Sequence, residues 1–138
     1  MQKLTEKKQH RIIDANFNRA KEGLRVCEDI CRFIYGKKRP TQIYKNIRHQ
    51  LTAVLARLNF REMIRSRDIA ADVGKGTIRA ELSRKNIDEV FYANSQRVKE
   101  SIRVLEEFLK LRDVRLSQKL KKIRYTVYAI EKEIIAKL

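Results

Sequence analysis

The chain has 138 residues, enough for one domain that buries roughly two-thirds of the surface its unfolded form exposes. Lys and Arg number 33 against 17 Asp and Glu, and the net charge of +16 predicts anionic partners: nucleic acid, an acidic membrane surface or phosphorylated small molecules. No apolar run approaches the roughly 20 residues of a transmembrane helix, and Met1 to Arg11 lacks the apolar centre of a signal peptide, so the expected location is cytoplasmic.

In chain order, the first helix is expected from Ile12 or Asp14, with Asp14 as its cap, to Tyr35. At about 100° per residue, Ile12, Ala20, Leu24, Cys27, Ile30, Cys31 and Ile34 form its apolar face, and Lys21, Arg25, Glu28 and Arg32 lie opposite. Gly36 is the expected stop and Pro40 the start of the next helix, which runs to Leu58 on Ile43, Ile47, Leu51, Val54, Leu55 and Leu58. The periodicity breaks between Arg61 and Arg84, a segment long enough for a binding loop or lid. A third helix is expected from Asn86, capped by Asn86 or Asp88, to Arg112, with Val90, Phe91, Val98, Ile102, Leu105, Phe108 and Leu109 as its apolar face. After a break at Asp113, Leu116, Leu120, Ile123, Val127, Ile130 and Ile134 line a fourth.

The first and third helices carry one stretch twice. Ala15-Asn16-x-x-Arg19-x-Lys21-Glu22-x-x-Arg25-Val26-x-Glu28 returns as Ala93-Asn94-x-x-Arg97-x-Lys99-Glu100-x-x-Arg103-Val104-x-Glu106. The likeness extends to the return helices, where Tyr44-Lys45-Asn46-Ile47-Arg48-His49 resembles Leu120-Lys121-Lys122-Ile123-Arg124-Tyr125. Such an internal repeat predicts an all-α four-helix bundle: hairpin 12–60, loop 61–85 and hairpin 86–138, the hairpins related by a pseudo-twofold axis.

Each repeat cuts a polar notch into its apolar face. Asn16 and Asn94 fall inside the arc, Arg19 and Arg97 at its edge, and the small residues Gly23 and Ser101 beside them. A buried amide without a partner costs roughly 1–3 kcal/mol, so both asparagines need partners, either as fold-specifying core groups or in a site. The sharper expectation is a pocket between the hairpins lined by Asn16, Arg19, Glu22 and Arg48 with Asn94, Arg97, Glu100 and Arg124. Arginine forks match phosphate oxygens, so convergent arginines suit a phosphorylated ligand. Arg25 and Arg103 are expected in surface pairs with Asp29 and Glu107.

In the loop, Asp68 and Asp72 are candidates for Mg²⁺ binding or for orienting an attacking group, against the plainer reading of turn or capping aspartates. Gly74-Lys75-Gly76-Thr77 lacks the full phosphate-loop pattern. His10 and His49 have no metal-site spacing, and Cys27 and Cys31 read as buried reduced thiols.

The repeated Asn-x-x-Arg-x-x-Glu-small-hydrophobic-Arg-Val pattern, with Ser66-Arg67-Asp68 and Asp72-Val73-Gly74 between its copies, resembles the all-helical hydroxymethylpyrimidine-phosphate kinase domain of thiamine biosynthesis. That domain is often fused ahead of thiamine-phosphate synthase in bacteria. The resemblance spans about residues 10 to 135. It implies an ATP-dependent kinase converting 4-amino-5-hydroxymethyl-2-methylpyrimidine phosphate to the pyrophosphate, with Mg²⁺ as cofactor and a thiamine-phosphate synthase as a possible partner. Charge chemistry then distributes the roles. Asn16, Arg19, Arg48, Arg67, Asn94, Arg97 and Arg124 would bind phosphate or substrate; Glu22, Glu100 and Asp72 would hold Mg²⁺; Asp68 or Asp72 would orient the acceptor. Two other readings stay open: a basic helical nucleic-acid-binding module, and a non-catalytic accessory domain whose fourth helix extends into a homodimer interface.

Overall fold

The first helix begins ten residues before the apolar period starts. In the computed structural model, which describes residues 2–137, α1 runs Gln2–Asp29 and continues through one π turn, Ile30–Ile34. Residues 2–11 are polar apart from Leu4, but they are mostly Lys, Glu, Gln and Arg, all good helix formers, with neither Gly nor Pro to stop them. Asp14 is therefore no cap; it lies about three turns inside the helix, buried. At the far end the expected stop holds. Tyr35 N–H donates to Ile30 O, Lys37 N–H to Cys31 O, and Gly36 takes φ +62°, a conformation that only glycine adopts without steric cost.

Helix α2 covers Lys38–Leu55, with Pro40 in its first turn, and stops three residues short of the expected Leu58. The segment expected to be irregular opens instead with a short helix, α3, Phe60–Arg65, capped by Asn59 and fixed against α1 by buried Met63. Turns and a 3₁₀ turn, Arg79–Leu82, lead to α4, Ile87–Leu109. Its cap is Asn86, as expected, with Oδ1 accepting from Glu89 N–H at 2.9 Å. Asp113 caps α5, Val114–Ile135, accepting from the N–H groups of Arg115 and Leu116.

Neighbouring helices run antiparallel around the circuit α1–α2–α5–α4. His10 meets Arg112, Gly23 meets Asn94 and Tyr35 meets Asp88, which sets α1 against α4. Lys21 bonds Thr52 and Glu28 pairs with Arg48, setting α1 against α2; Glu106 with Arg124 and Ser95 with Glu131 do the same for α4 and α5. The expected apolar rows of α2, α4 and α5 supply most of the core. On α1 the middle of the expected row, Ala20, Leu24, Cys27, Ile30 and Cys31, is buried, but its ends are not: Ile12 is half-buried, with Ile13 buried beside it, and Ile34 is exposed.

Gly23 sets the spacing of the central pair. A Cβ there would lie 2.7 Å from Val98 Cγ2 and 3.0 Å from the backbone oxygen of Asn94. The small residue does not leave space for a ligand; the neighbouring helix fills it.

Two ion pairs, one half-buried and one buried, repeat the duplication. Arg48 Nε donates to Glu28 Oε1 at 3.0 Å, and Arg124 Nε to Glu106 Oε2 at 2.5 Å with Nη2 on Oε1 at 3.1 Å. Glu28, expected on the solvent face, is buried, and it also accepts from Arg25, which does not pair with Asp29. Arg48 and Arg124 therefore do not point into a common interior. A desolvated guanidinium needs a carboxylate, and each finds one on the adjacent helix of its own hairpin. A third pair, Lys99 with Glu131 at 2.7 Å, is buried and has no equivalent in the first copy, where Lys21 meets Thr52. The expected Arg103–Glu107 surface pair forms at 2.9 Å.

Both cysteines are buried and free. Burial pushes the Cys31 thiol up to about 11, and Cys27 higher still.

Three outcomes follow from the packing. Gly23→Ala lowers stability in urea by about 1–3 kcal/mol despite a helix-propensity gain of about 1 kcal/mol, because the backbone of α4 must move. Glu106→Ala costs about 3–5 kcal/mol by stranding Arg124, and the double variant Glu106→Leu/Arg124→Met recovers most of it. A thiol whose pKa is raised on folding contributes stability that is intact below its ordinary value of 9.0 and lost as pH rises towards the folded value of about 11. Alkaline unfolding curves of wild type and Cys31→Ala should therefore converge above pH ~9, and iodoacetamide should label the native thiols only after denaturation.

Candidate functional site

The outer face of α1 meets the loop that follows α3. Lys8, Arg11, Ile12, Ala15 and Arg19 recur along α1 at three- and four-residue spacing, and Arg67, Asp68, Ile69 and Asp72 close over them. The cleft between has a volume of about 490 Å³.

One ion pair ties the two walls together. Arg67 Nε donates to Asp14 Oδ2 at 2.6 Å and its Nη2 to Oδ1 at 2.8 Å, a bidentate fork. These bonds to Asp14 hold the Arg67 guanidinium all the more firmly protonated. Asn18 Nδ2 adds a bond to Asp14 Oδ1 at 3.2 Å. Arg11 Nη2 donates to the backbone oxygen of Asp68 at 3.4 Å, a second tether.

Asn16 finds its partners locally. Its Nδ2 donates to Ile12 O at 2.9 Å and its Oδ1 accepts from Arg19 Nη1 at 3.4 Å, which orients Arg19 along the cleft. Asp68 and Asp72 organise the loop: Asp68 Oδ1 accepts from Ala71 N–H at 3.1 Å and Asp72 Oδ1 from Gly74 N–H at 2.9 Å. The turn role and the cleft role coincide, because each carboxylate uses one oxygen on the backbone. With Asp14 neutralised by Arg67, the cleft sets Lys8, Arg11 and Arg19 against Asp68 and Asp72. Such cations could take anionic oxygens, and the two carboxylates beside them could hold a divalent ion.

Of the expected site residues, Asn16, Arg19, Arg67, Asp68 and Asp72 share this cleft. The others do not. Asn94 repeats the local bond of Asn16, donating to Val90 O at 2.8 Å, but abuts Gly23. Arg97 is exposed on α4 and does not line the cleft. Arg48 lies in a depression between α1 and α2, and Arg124 with Glu100 in another between α4 and α5. Glu22 is exposed on α1. The expectation of one symmetric pocket is thus corrected, for a topological reason. The segment after α3 lies between the two hairpins, and the residues of it that line the cleft close over α1.

Glu22 and Glu100 do not join Asp72, and among the described residues no three His, Cys, Asp or Glu side chains form a metal cluster. Mg²⁺ arriving with phosphates needs only one or two carboxylates, because water and phosphate oxygens supply the rest. Asp68 and Asp72 meet that requirement. Lys8 and Arg11, missed from sequence, line the cleft with Ala15 and Arg19, and extending the helix back past Ile12 would have found them; Asp14, read as a cap, belongs to the cleft because the helix begins well before it.

Comparison with known proteins sets this geometry in a family. The chain is 38% identical over 128 residues to a thiamine-phosphate synthase of Prochlorococcus marinus, covering 92% of this chain and 35% of that protein. It is 40% identical over 129 residues to one of Rhodopirellula baltica, covering 93% and 34%, and 40% identical over 126 residues to one of Synechocystis, covering 91% and 36%. The chain therefore spans about a third of the length of the curated relatives it matches. No solved structure matches it. The ThiD2 family model covers residues 11–133, from Arg11 in the cleft to the last turn of α5, and the chain belongs to the ThiD2 family.

Proposed function

We propose that the chain is an ATP-dependent kinase of thiamine biosynthesis, which phosphorylates 4-amino-5-hydroxymethyl-2-methylpyrimidine phosphate to the pyrophosphate. The observation that carries the reading is the α1 cleft, where Lys8, Arg11 and Arg19 stand across from Asp68 and Asp72. The relatives named thiamine-phosphate synthase support the pathway, and a synthase of that kind is the partner this reading favours.

The acceptor in this reaction is a phosphate oxygen. A phosphate monoester is already largely ionised at neutral pH, its second pKa being about 6, so transfer needs little help from a general base. The obstacle is bringing two polyanions together, and positioned cations remove it. Lys8, Arg11 and Arg19 would take phosphate oxygens; Arg67, braced by Asp14, would present its remaining N–H groups from the loop. Mg²⁺, when bound, neutralises charge on the transferring phosphates, and Asp68 and Asp72 are the residues to hold it. Arg11 and Arg67 both bridge loop to helix, so a phosphate bound between them would draw the loop down and exclude water.

A coupled assay with ATP, Mg²⁺ and the pyrimidine monophosphate should release ADP only when the pyrimidine is present; its absence from the folded protein overturns the reading. Arg19→Ala should lower kcat/KM about 10- to 100-fold, the worth of a charge-assisted bond of about 1.5–3 kcal/mol, and Arg97→Ala far less. Asp68→Asn and Asp72→Asn should raise the Mg²⁺ concentration needed for half-maximal rate, and an unchanged requirement in both would remove the aspartates from that role.

A further inference from the structure

Most of the positive charge lies away from the cleft. Between Val114 and Tyr128, α5 carries Arg115, Lys119, Lys121, Lys122 and Arg124 and no carboxylate. Arg124 is neutralised by Glu106; among the described residues none of the other four is paired with a carboxylate. Beside this stretch runs a groove between α2 and α5 of about 580 Å³. Arg57, Lys119 and Lys122 line it over a floor that includes Val54 and Ile123, and no carboxylate is among its lining residues. The α1 cleft is smaller and balances its cations with aspartates.

Around the same helix, Tyr125 and Tyr128 stand 56% and 47% exposed, their ring centroids 6.4 Å apart. Lys121 lies 5.7 Å from the Tyr125 centroid and Lys99 4.7 Å from that of Tyr128. Arg124 also packs on Tyr125, 5.2 Å from its centroid, but the repeated hairpin forms without such rings. Aligning Arg48 with Arg124, the first copy has His49 and Thr52 at the same positions.

We propose that α5 is a binding surface for single-stranded nucleic acid. Arg57, Lys119 and Lys122 take backbone phosphates along the α2–α5 groove, and the strand then crosses the exposed face of α5 past Lys121 and Tyr125 to reach Tyr128 on the α4 side, the two tyrosines stacking bases. Unpaired cations attract any polyanion, but only one with accessible π faces gains from exposed tyrosines. A duplex hides those faces in its own stack. The two rings are tilted 57° to each other with centroids 6.4 Å apart, so they offer faces to bases splayed apart and not to a continuous stack. This surface is separate from the α1 cleft and stands whether or not the kinase reading does.

The test is fluorescence anisotropy on the full chain with a labelled oligouridylate of roughly 12 nucleotides, within the ~4–16 nucleotide sites of comparable binders. With about three phosphates neutralised, raising salt from 50 to 200 mM should weaken binding about 20-fold. Lys119→Glu/Lys122→Glu should abolish binding. Tyr125→Ala/Tyr128→Ala should weaken it roughly tenfold or more at an unchanged salt slope, since stacking releases no counterions. Circular dichroism melts matching wild type establish that both variants fold. No binding at 50 mM salt, wild-type affinity in the tyrosine variant, or equal competition by heparin and by a duplex of the same length would each overturn the proposal.

Discussion

The close approach of α1 to α4 at Gly23 is the constraint on which the rest of the bundle depends. With no side chain at that position, Val98 and the backbone of Asn94 come to van der Waals distance, and the two long helices form one central layer. That spacing puts Cys27 beside Phe91 and Tyr35 beside Asp88 towards one end, and His10 beside Arg112 at the other. Helices α2 and α5 then pack beneath this layer, each against its own hairpin partner and against each other. The outer face of α1 remains uncovered by the bundle, and there the cleft forms.

Charge is distributed in two different ways across the molecule. Where a guanidinium is buried or half-buried it is matched: Arg48 with Glu28, Arg124 with Glu106. These pairs recur at equivalent places in the two hairpins, and they lock each hairpin internally by making any register slip strand a charge in a desolvated site. Where cations are exposed they are largely unmatched, which leaves the surface attractive to anions. The cleft is intermediate. Arg67 and Asp14 neutralise each other across its two walls, and the remaining cations and aspartates stay available for a ligand.

Duplication produced two copies of a helical notch, and a single connecting segment made them unequal. The turns of Asp68 and Asp72 and the short helix α3 all sit against the N-terminal half of α1. Lys99 and Glu131 occupy the interior of the second hairpin where the first has Lys21 on Thr52. The equivalent asparagines keep identical backbone bonds, to Ile12 and Val90, yet only Asn16 serves the cleft. A twofold pattern in the amino-acid sequence thus becomes a one-sided site in three dimensions.

The fold was legible in the amino-acid sequence because its signals are local. Apolar residues at three- and four-residue spacing mark α2, α4 and α5, Gly36 and Pro40 mark the first turn, Asn86 marks a cap, and the repeat identifies the hairpins. The polar start of α1 was not legible in this way, because a helix stabilised by propensity and tertiary contacts carries no apolar period there. Half of the site was equally local: Asn16 and Arg19 are one turn apart and bonded to each other. The other half was not. That Arg67 reaches back to Asp14, that Arg48 and Arg124 are consumed by Glu28 and Glu106, and that loop residues close over α1 are long-range facts. By itself the sequence determined the four long helices apart from the start of α1 and the last turn expected of α2, and their pairing into two hairpins, but not the short α3. Only the tertiary structure decided which charges cancel and which stay free, because that depends on which helices become neighbours.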